Sequence, residues 1–189
     1  NLEWQPLDRL VVNAGAMAEK FTFTGTDVTP RGFANLEIAP GHVLRAGVST
    51  ATRTPSVFEE KANVRFTPEG FPLDPQIVAR GGLDPERILT KELGYFGQIP
   101  GIGLQADVRL YRERLSELIV QTTVRAKAGN NDPIPAVLSY DNVGTATLRG
   151  LEYQLRLAPW RSTRLALAQA FQDISHPDPR VARSSPRRT

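Results

Sequence analysis

The feature that most constrains this chain is a long alternation of apolar and polar side chains from Thr145 to Leu157. Such alternation places apolar side chains on one face of a β-strand and polar side chains on the other. The segment exceeds the five or six residues of a typical strand and reaches the roughly 9 to 11 residues that a tilted strand needs to cross a bilayer. Trp160 follows at its apolar end, where the aromatic belt of a membrane protein would lie. The apolar positions are Leu151, Tyr153, Leu155 and Leu157.

Similar segments recur and predict further strands, joined by connections of two kinds. Short turns are expected at Pro6, Pro40, Pro100 and Pro159. Longer loops are expected at 25–31, 54–90 and 122–134, and the second of these has no sustained period. Trimmed turns at one rim and long loops at the other are typical of outer-membrane β-barrels.

Composition narrows the classes of protein that the chain can belong to. No run approaches 18 consecutive apolar residues, which excludes a membrane-spanning helix, and the absence of cysteine excludes disulfides and thiolate metal sites. The net charge of +3 comes from 177–189, which holds four arginines and one aspartate. We expect that segment to be a disordered basic tail, and we expect no nucleic-acid partner. Asn1 begins in mid-pattern, as expected for a piece of a longer protein.

Three segments resemble motifs in the C-terminal barrel of TonB-dependent outer-membrane receptors. STATRTPSVFE at 49–59 resembles S-x-x-F-R-A-P-S-x-x-E, with threonine replacing the aromatic residue and the alanine. GLDPE at 82–86 and KELGY at 91–95 resemble N-P-x-L-x-P-E and E-x-G-Y, without the opening Asn-Pro, and NVGTATLRGLE at 142–152 resembles N-x-G-x-A-x-x-x-G-x-E. The motif residues are Arg53, Pro55, Ser56, Pro85, Glu86, Gly94, Tyr95, Asn142, Gly144, Gly150 and Glu152.

The resemblance implies an all-β fold, in which 1–176 form an antiparallel meander of about seven or eight strands. Such a meander would be a fragment of a 22-stranded transmembrane β-barrel in the outer membrane of a Gram-negative cell, in contact with its lipid. Receptors that the chain resembles import scarce ligands, and the resemblance favours a ferric siderophore. They bind the TonB complex through a segment N-terminal to a plug domain. Because this chain lacks that segment, we expect that it does not transport by itself.

The resemblance also assigns candidate roles to charged residues. We expect the loop residues Arg53, Glu59, Arg65, Arg80 and Arg125 to bind the ligand. Arg45, Glu92, Arg109 and Glu152 fall on the polar faces of strands, where they would line the lumen and pair with the plug. Gly150, on the same face, would let the backbone bend or a neighbouring backbone approach. Arg149 falls on the apolar face, ten positions from Pro159, where the lipid band ends and the cost of an arginine drops to about 0 to 1 kcal/mol.

The sequence contains few residues of the kinds that form catalytic, cofactor-binding or metal-binding sites. Only His42 and His176 are present, and neither a nucleophile elbow nor a phosphate-binding glycine loop occurs, so we predict no enzyme, cofactor or metal site. The absence of histidine from 54–90 counts against heme as the ligand. Two alternatives remain open: a soluble ligand-binding β-sandwich, whose apolar faces would pack together inside, and a passive porin.

Overall fold

The computed structural model describes residues 1–65, 76–124, 137–160 and 162–175. A helix, α1, covers Val57–Lys61, and a 3₁₀ turn covers Pro100–Ile102. The strands in these residues are β1 Leu2–Leu7, β2 Leu10–Phe21, β3 Gly25–Ala39, β4 His42–Arg53, β5 Asn63–Arg65, β6 Gln76–Val78, β7 Glu86–Ile99, β8 Leu104–Ser116, β9 Ile119–Val124, β10 Val137–Asn142, β11 Thr145–Trp160 and β12 Thr163–Ser175.

Eight strands form one antiparallel meander, in the order β1-β2-β3-β4-β7-β8-β11-β12. From β7 to β12 the pairing runs nearly the full strand length, and β8 pairs with β11 from Thr145 opposite Ser116 to Leu157 opposite Leu104. The sheet is open, with β1 and β12 at its edges. The prediction of an antiparallel meander of seven or eight strands is therefore confirmed.

The two faces of this sheet differ in polarity because the alternation of each strand is kept in register with the next. One register row on the polar face joins Arg45, Gly94, Arg109 and Glu152. A row on the opposite, apolar face joins Ala46, Leu93, Leu110, Leu151 and Phe171.

The larger apolar side chains of the sheet are exposed rather than packed in an interior. Leu93 is 62% exposed and Leu110 is 52% exposed. In the part of the chain that the structure describes, the buried hydrophobic residues are only Ala62, Leu83 and Ala146. No second layer covers the apolar face within these residues. The alternative of a soluble β-sandwich requires a closed apolar core, and the described residues do not form one.

The rims match the expected layout, with several corrections. The turns expected at Pro6 and Pro159 are wrong, because β1 includes Pro6 and β11 includes Pro159, and the loop expected from residue 122 starts later because β9 runs to Val124. Tight connections at Asp8–Arg9, Pro40–Gly41 and 100–103 lie at one rim, where Trp4 and Trp160 are exposed. At the other rim, the loop expected at 25–31 is wrong, because β3 begins at Gly25 and a turn at 22–24 joins it to β2. Proline lacks an N–H, and the pairing of β3 with β4 ends at Arg31, next to Pro30.

The rim opposite the tight turns is the loop rim. Its long connections contain secondary structure that the alternation of apolar and polar residues did not predict. The segment 54–90 includes α1, β5 and β6, so it is not a loop throughout. A small second sheet with the order β5-β6-β10-β9 joins this segment to the connection between β8 and β11. The basic tail at 177–189 lies outside the described residues.

Candidate functional site

The three motifs meet at the loop rim, where β4 ends and β7 and β11 begin. Arg53 lies opposite Glu86 in the β4–β7 register. Its Nε donates to a Glu86 carboxylate oxygen at 2.6 Å, and its two terminal nitrogens donate to both oxygens of Glu59 at 3.1 and 3.2 Å. The other Glu86 oxygen accepts from the backbone N–H of Ile119 at 2.7 Å. One guanidinium and two carboxylates therefore hold together three segments of the rim.

Helix α1 begins with a reciprocal cap that serves this network. The Glu59 N–H donates to the Ser56 hydroxyl, and the Ser56 N–H donates to the Glu59 carboxylate. Partial burial raises the pKa of Glu59, but hydrogen bonds from Arg53 and Ser56 outweigh burial, so the pKa lies below its ordinary value. The sequence carried the signal for this helix, since Ser-x-x-Glu is the capping-box pattern.

A second carboxylate organises the following segment. Glu60 is 7% exposed and accepts from the N–H groups of Gly82, at 2.6 Å, and Leu83, at 3.3 Å. Gly81 and Gly82 both have positive φ, a conformation that favours glycine. Sequence reasoning did not select Glu60, although two adjacent glycines are a signal for this kind of close backbone approach.

Asn142 joins the remaining motif to the rim. Its amide NH₂ group donates to the carbonyl oxygens of Asp84 and Glu117, and its amide oxygen accepts from the Asp84 N–H at 2.8 Å. Glu117 is the single non-glycine residue with positive φ in the described part of the chain, and it separates β8 from β9. Asn142 thus fixes the position at which the β8–β11 connection leaves the sheet.

Charges on the polar face pair across strands. Glu92 contacts Arg45 at 3.4 Å and Arg109 at 2.8 Å, and Arg109 also reaches Glu152 at 3.4 Å. A hollow of about 420 Å³ lies on this face beside Asp107 and Gln154. The structure therefore brings together all four residues predicted to line the lumen.

Glycines on the polar face make room for aromatic rings rather than for backbone. A Cβ at Gly150 would overlap the ring of Tyr111, which lies opposite it on β8. Gly47 is related in the same way to Phe33. The expectation that a neighbouring backbone approaches Gly150 is therefore wrong, because the side chain of Tyr111 occupies that space. Gly94 leaves space for the Arg45 guanidinium.

The residues predicted to bind ligand have different surroundings. Arg53 and Glu59 are paired with each other, as described above. Arg80 is exposed after β6, and Arg65 lies in β5. Arg125 falls outside the described residues. Of these five, the structure brings Arg53 and Glu59 into contact.

Metal-binding geometry is absent from the described ranges, in which no three His, Cys, Asp or Glu side chains cluster. His42 instead shares a 2.7 Å hydrogen bond with the hydroxyl of the motif residue Tyr95. None of the described helices is long and apolar enough to span a membrane.

Comparisons with known proteins cover nearly the whole chain. The family model described as "TonB dependent receptor-like, beta-barrel" matches residues 1–187. No curated protein sequence matches the chain. Among solved structures, the siderophore receptor PirA from Pseudomonas aeruginosa has a TM-score of 0.74 and 18% sequence identity, over 92% of this chain and 33% of PirA.

Two further solved structures show how widely this architecture is shared. A mutant of the ferric enterobactin receptor PfeA from Pseudomonas aeruginosa has a TM-score of 0.75 and 19% identity, over 90% of this chain and 25% of PfeA. The hemophore receptor HasR from Serratia marcescens has a TM-score of 0.66 and 17% identity, over 87% of this chain and 30% of HasR. The chain thus spans between a quarter and a third of these receptors, and at such identities the likeness shows the fold alone.

Proposed function

Because the chain belongs to the TonB-dependent receptor β-barrel family, we propose that it forms part of the wall of an outer-membrane receptor that imports a ferric siderophore into a Gram-negative cell. The observation that carries this proposal is the polarity of the eight-stranded sheet. Leucines are exposed on one face, and ion pairs cover the other. A barrel wall needs this arrangement, since its outer surface contacts hydrocarbon and its lumen is polar.

The ion pairs on the polar face support a filled lumen rather than the open channel of a porin. Arg45 and Glu152 remain 40% and 43% exposed although both take part in ion pairs. Both therefore have room for a further partner, and we propose that this partner is a plug domain within the barrel. TonB would act on the receptor through that domain.

The choice of a siderophore over heme rests on the printed names of the similar receptors and on the loop residues. PirA and PfeA are siderophore receptors by name, whereas HasR is a hemophore receptor. Histidine is a common axial ligand of heme iron, and 54–90 contains none. Arginine suits an anionic iron chelate because its guanidinium carries a permanent charge and several donors. We propose that Arg65, Arg80 and Arg125 contact the chelate, while Arg53 and Glu59 position the loops around it.

A growth experiment tests the importer assignment. The gene for the whole receptor is deleted and then restored on a plasmid, under iron limitation, with iron supplied as a catecholate siderophore, a hydroxamate siderophore or hemin. We expect the deletion to abolish growth on one siderophore and to leave growth on hemin unchanged. Loss of growth on hemin alone, or on none of the three, would contradict the proposal.

The contribution of the loop arginine is tested with the same strains. Arg80→Ala should reduce uptake of the radiolabelled ferric siderophore, whereas Arg9→Ala, in the tight turn of the opposite rim, should leave uptake unchanged. Equal uptake by both variants would remove Arg80 from the ligand site but would leave the importer assignment intact.

An open sheet gives a separate expectation for residues 1–189 expressed alone. Its two edges present unpaired backbone groups, which are costly in lipid and promote association in water. We propose that transport requires further strands and that the isolated chain aggregates in detergent-free buffer. A monodisperse monomer by light scattering would contradict this expectation.

A further inference from the structure

Glu60 is a buried carboxylate to which the proposed receptor function assigns no role. It lies on α1 and is 7% exposed. Its two carboxylate oxygens accept separately, one from the N–H of Gly82 at 2.6 Å and the other from the N–H of Leu83 at 3.3 Å. In the described part of the chain, no lysine or arginine lies within 4.0 Å of it. Burying a carboxylate is costly unless it is hydrogen-bonded, so these two backbone groups are what keeps Glu60 in place.

The turn that receives Glu60 has a backbone shaped for a carboxylate. Gly81 and Gly82 have φ angles of +71° and +72°, a conformation that glycine adopts without strain. Two successive N–H groups, those of Gly82 and Leu83, therefore point toward one anion. Successive backbone N–H groups that converge in this way form an anion-binding concavity. Here the anion comes from the chain itself, which fixes the turn relative to α1.

Arg80 lies between two attachments of this turn to α1. Before it, the N–H of Ala79 donates to the carbonyl oxygen of Ala62 at 2.7 Å. After it, the Glu60 carboxylate holds the residues two and three positions further on. Both attachments are enclosed, since Ala62 is 7% and Leu83 is 8% exposed, whereas Arg80 is exposed. The backbone of Arg80 is thus fixed on both sides while its guanidinium stays accessible.

Helix α1 connects this attachment to the large sheet. Glu59 accepts from Arg53, the last residue of β4, and the adjacent Glu60 holds the turn that carries Arg80. Two neighbouring carboxylates therefore tie Arg80 to the sheet through a single helical turn. A side chain that is already positioned loses less conformational freedom when a ligand binds, and this raises affinity.

We propose that Glu60 is a positioning residue for ligand binding, which fixes the turn at 79–83 so that Arg80 meets an anionic iron chelate in one orientation. Glu60 does not touch the chelate, because both of its oxygens are already bonded and the side chain is buried. This inference rests on the proposed function, in which Arg80 contacts the ligand.

Positioning and simple electrostatics make opposite predictions for the loss of the Glu60 charge. A negative charge close to Arg80 repels an anionic ligand, so its removal would strengthen binding if charge alone mattered. A positioning role requires that binding becomes weaker. The direction of the change therefore separates the two.

Ligand binding by the whole receptor tests the role of Glu60. The receptor is purified in a neutral detergent and titrated with the ferric catecholate or ferric hydroxamate siderophore that supports growth of the restored strain, labelled with radioactive iron. Glu60→Gln keeps the size of the side chain but retains one acceptor oxygen, and its amide NH₂ would face a backbone N–H. Glu117→Gln is the control, because it removes an exposed glutamate from the same rim.

We expect Glu60→Gln to bind the ferric siderophore about tenfold more weakly than the unmodified receptor, the effect of one lost hydrogen bond to a charged group. Glu117→Gln should bind as the unmodified receptor does. In a receptor that already carries Arg80→Ala, Glu60→Gln should cause no further loss, because no guanidinium is left to position. Unchanged or tighter binding by Glu60→Gln would overturn the proposal. An equal loss with and without Arg80 would also overturn it, since general loosening of the rim gives that result.

Gly82→Ala provides a second variant that leaves the Glu60 charge in place. A Cβ at Gly82 meets nothing within 4 Å, so the substitution acts through the positive φ, which alanine disfavours. It should weaken binding while Arg80 is present and have no effect in its absence. Heat-modifiable migration on a gel reports a folded barrel, and normal binding by folded Gly82→Ala would contradict the proposal even if Glu60→Gln does not fold.

The same titration separates the two levels of the assignment. A folded, unmodified receptor that binds none of the ferric siderophores would disprove the proposed function. A receptor that binds one of them with equal affinity in all variants would disprove only this inference.

Discussion

Glu92 and Lys91 are neighbours on β7, but their side chains lie on opposite faces of the sheet and meet opposite surroundings. Glu92 is covered by Arg45 and Arg109, and only 12% of its side chain is exposed. Lys91 is exposed and lies opposite another cation, Arg112. At one height of the sheet, charge is thus neutralised within the chain on the polar face and left unneutralised on the apolar face. The polar face pairs its charges within the chain, whereas the charges of the apolar face depend on the surroundings of the sheet.

The largest expected effect comes from placing a charge in the middle of the apolar face. Leu44, 44% exposed, lies in the central register row with Tyr95 and Val108. In a membrane, Leu44→Arg should lower the free energy of unfolding by about 2 to 4 kcal/mol, because the guanidinium would lie in hydrocarbon. The measurement is a urea titration of the whole receptor folded into lipid vesicles.

Gln154→Arg is the matched control, because Gln154 is exposed on the polar face of the same sheet. It should change the free energy of unfolding by less than about 0.5 kcal/mol. If both arginines cost equally little, the apolar face contacts water and the contrast between the two faces fails.

The next effect tests the paired charges themselves. Glu92→Gln removes the carboxylate that accepts from Arg109 and leaves Arg45 facing Arg109 without an anion between them. Hydrogen bonds to charged groups contribute about 1.5 to 3 kcal/mol, and a loss in that range is expected in the same titration. Lys91→Gln, one position away, should cost nothing measurable. A larger loss at Lys91 than at Glu92 would reverse the interpretation of both faces.

Glycine substitutions sharpen the comparison with uncharged probes. Gly150→Ala on the polar face would force a methyl group into the ring of Tyr111, and overpacking of this kind costs about 1 to 3 kcal/mol. Gly32→Ala on the apolar face meets nothing nearer than the Asn13 carbonyl oxygen at 3.9 Å. Alanine has a lower backbone entropy than glycine in the unfolded chain, so Gly32→Ala should leave the free energy of unfolding unchanged or raise it slightly. Combining Gly150→Ala with Tyr111→Leu should recover part of the loss, which a purely backbone effect would not allow.

Much of this contrast could be predicted from the sequence, but the contacts between strands could not. The period of two placed Leu151 on the apolar face and Glu152 on the polar face. The position of Arg149 on the apolar face also indicated where the lipid band ends. Whether Arg149 meets a leucine or an arginine across the strand depends on register, and register is set by turn geometry and by the fit of whole faces. The pairing of Tyr111 with Gly150 also depends on register, so it could not be predicted from the sequence. At the rim, Arg53 and Glu86 were selected as motif residues, but their ion pair depends on two strands that are separated by α1, β5 and β6.

The smallest predicted effect concerns the loop rim, where charge is paired as on the polar face but within reach of water. Glu59 has a lowered pKa, so the folded rim keeps it charged to a lower pH than the unfolded chain does. Its contribution is complete above its ordinary pKa of about 4.5 and is lost as the pH falls through the lowered value. Hydrogen exchange of 56–61, corrected for intrinsic rates, should therefore accelerate on acidification across that window.

Ser56→Ala, which removes the cap, should accelerate exchange at neutral pH by an amount equivalent to about 1 kcal/mol. Glu59→Gln should accelerate exchange at neutral pH and abolish its acid dependence, while Glu37→Gln, an exposed glutamate near the tight turns, should do neither. An acid response that survives Glu59→Gln would assign the pH sensitivity of the rim to another carboxylate.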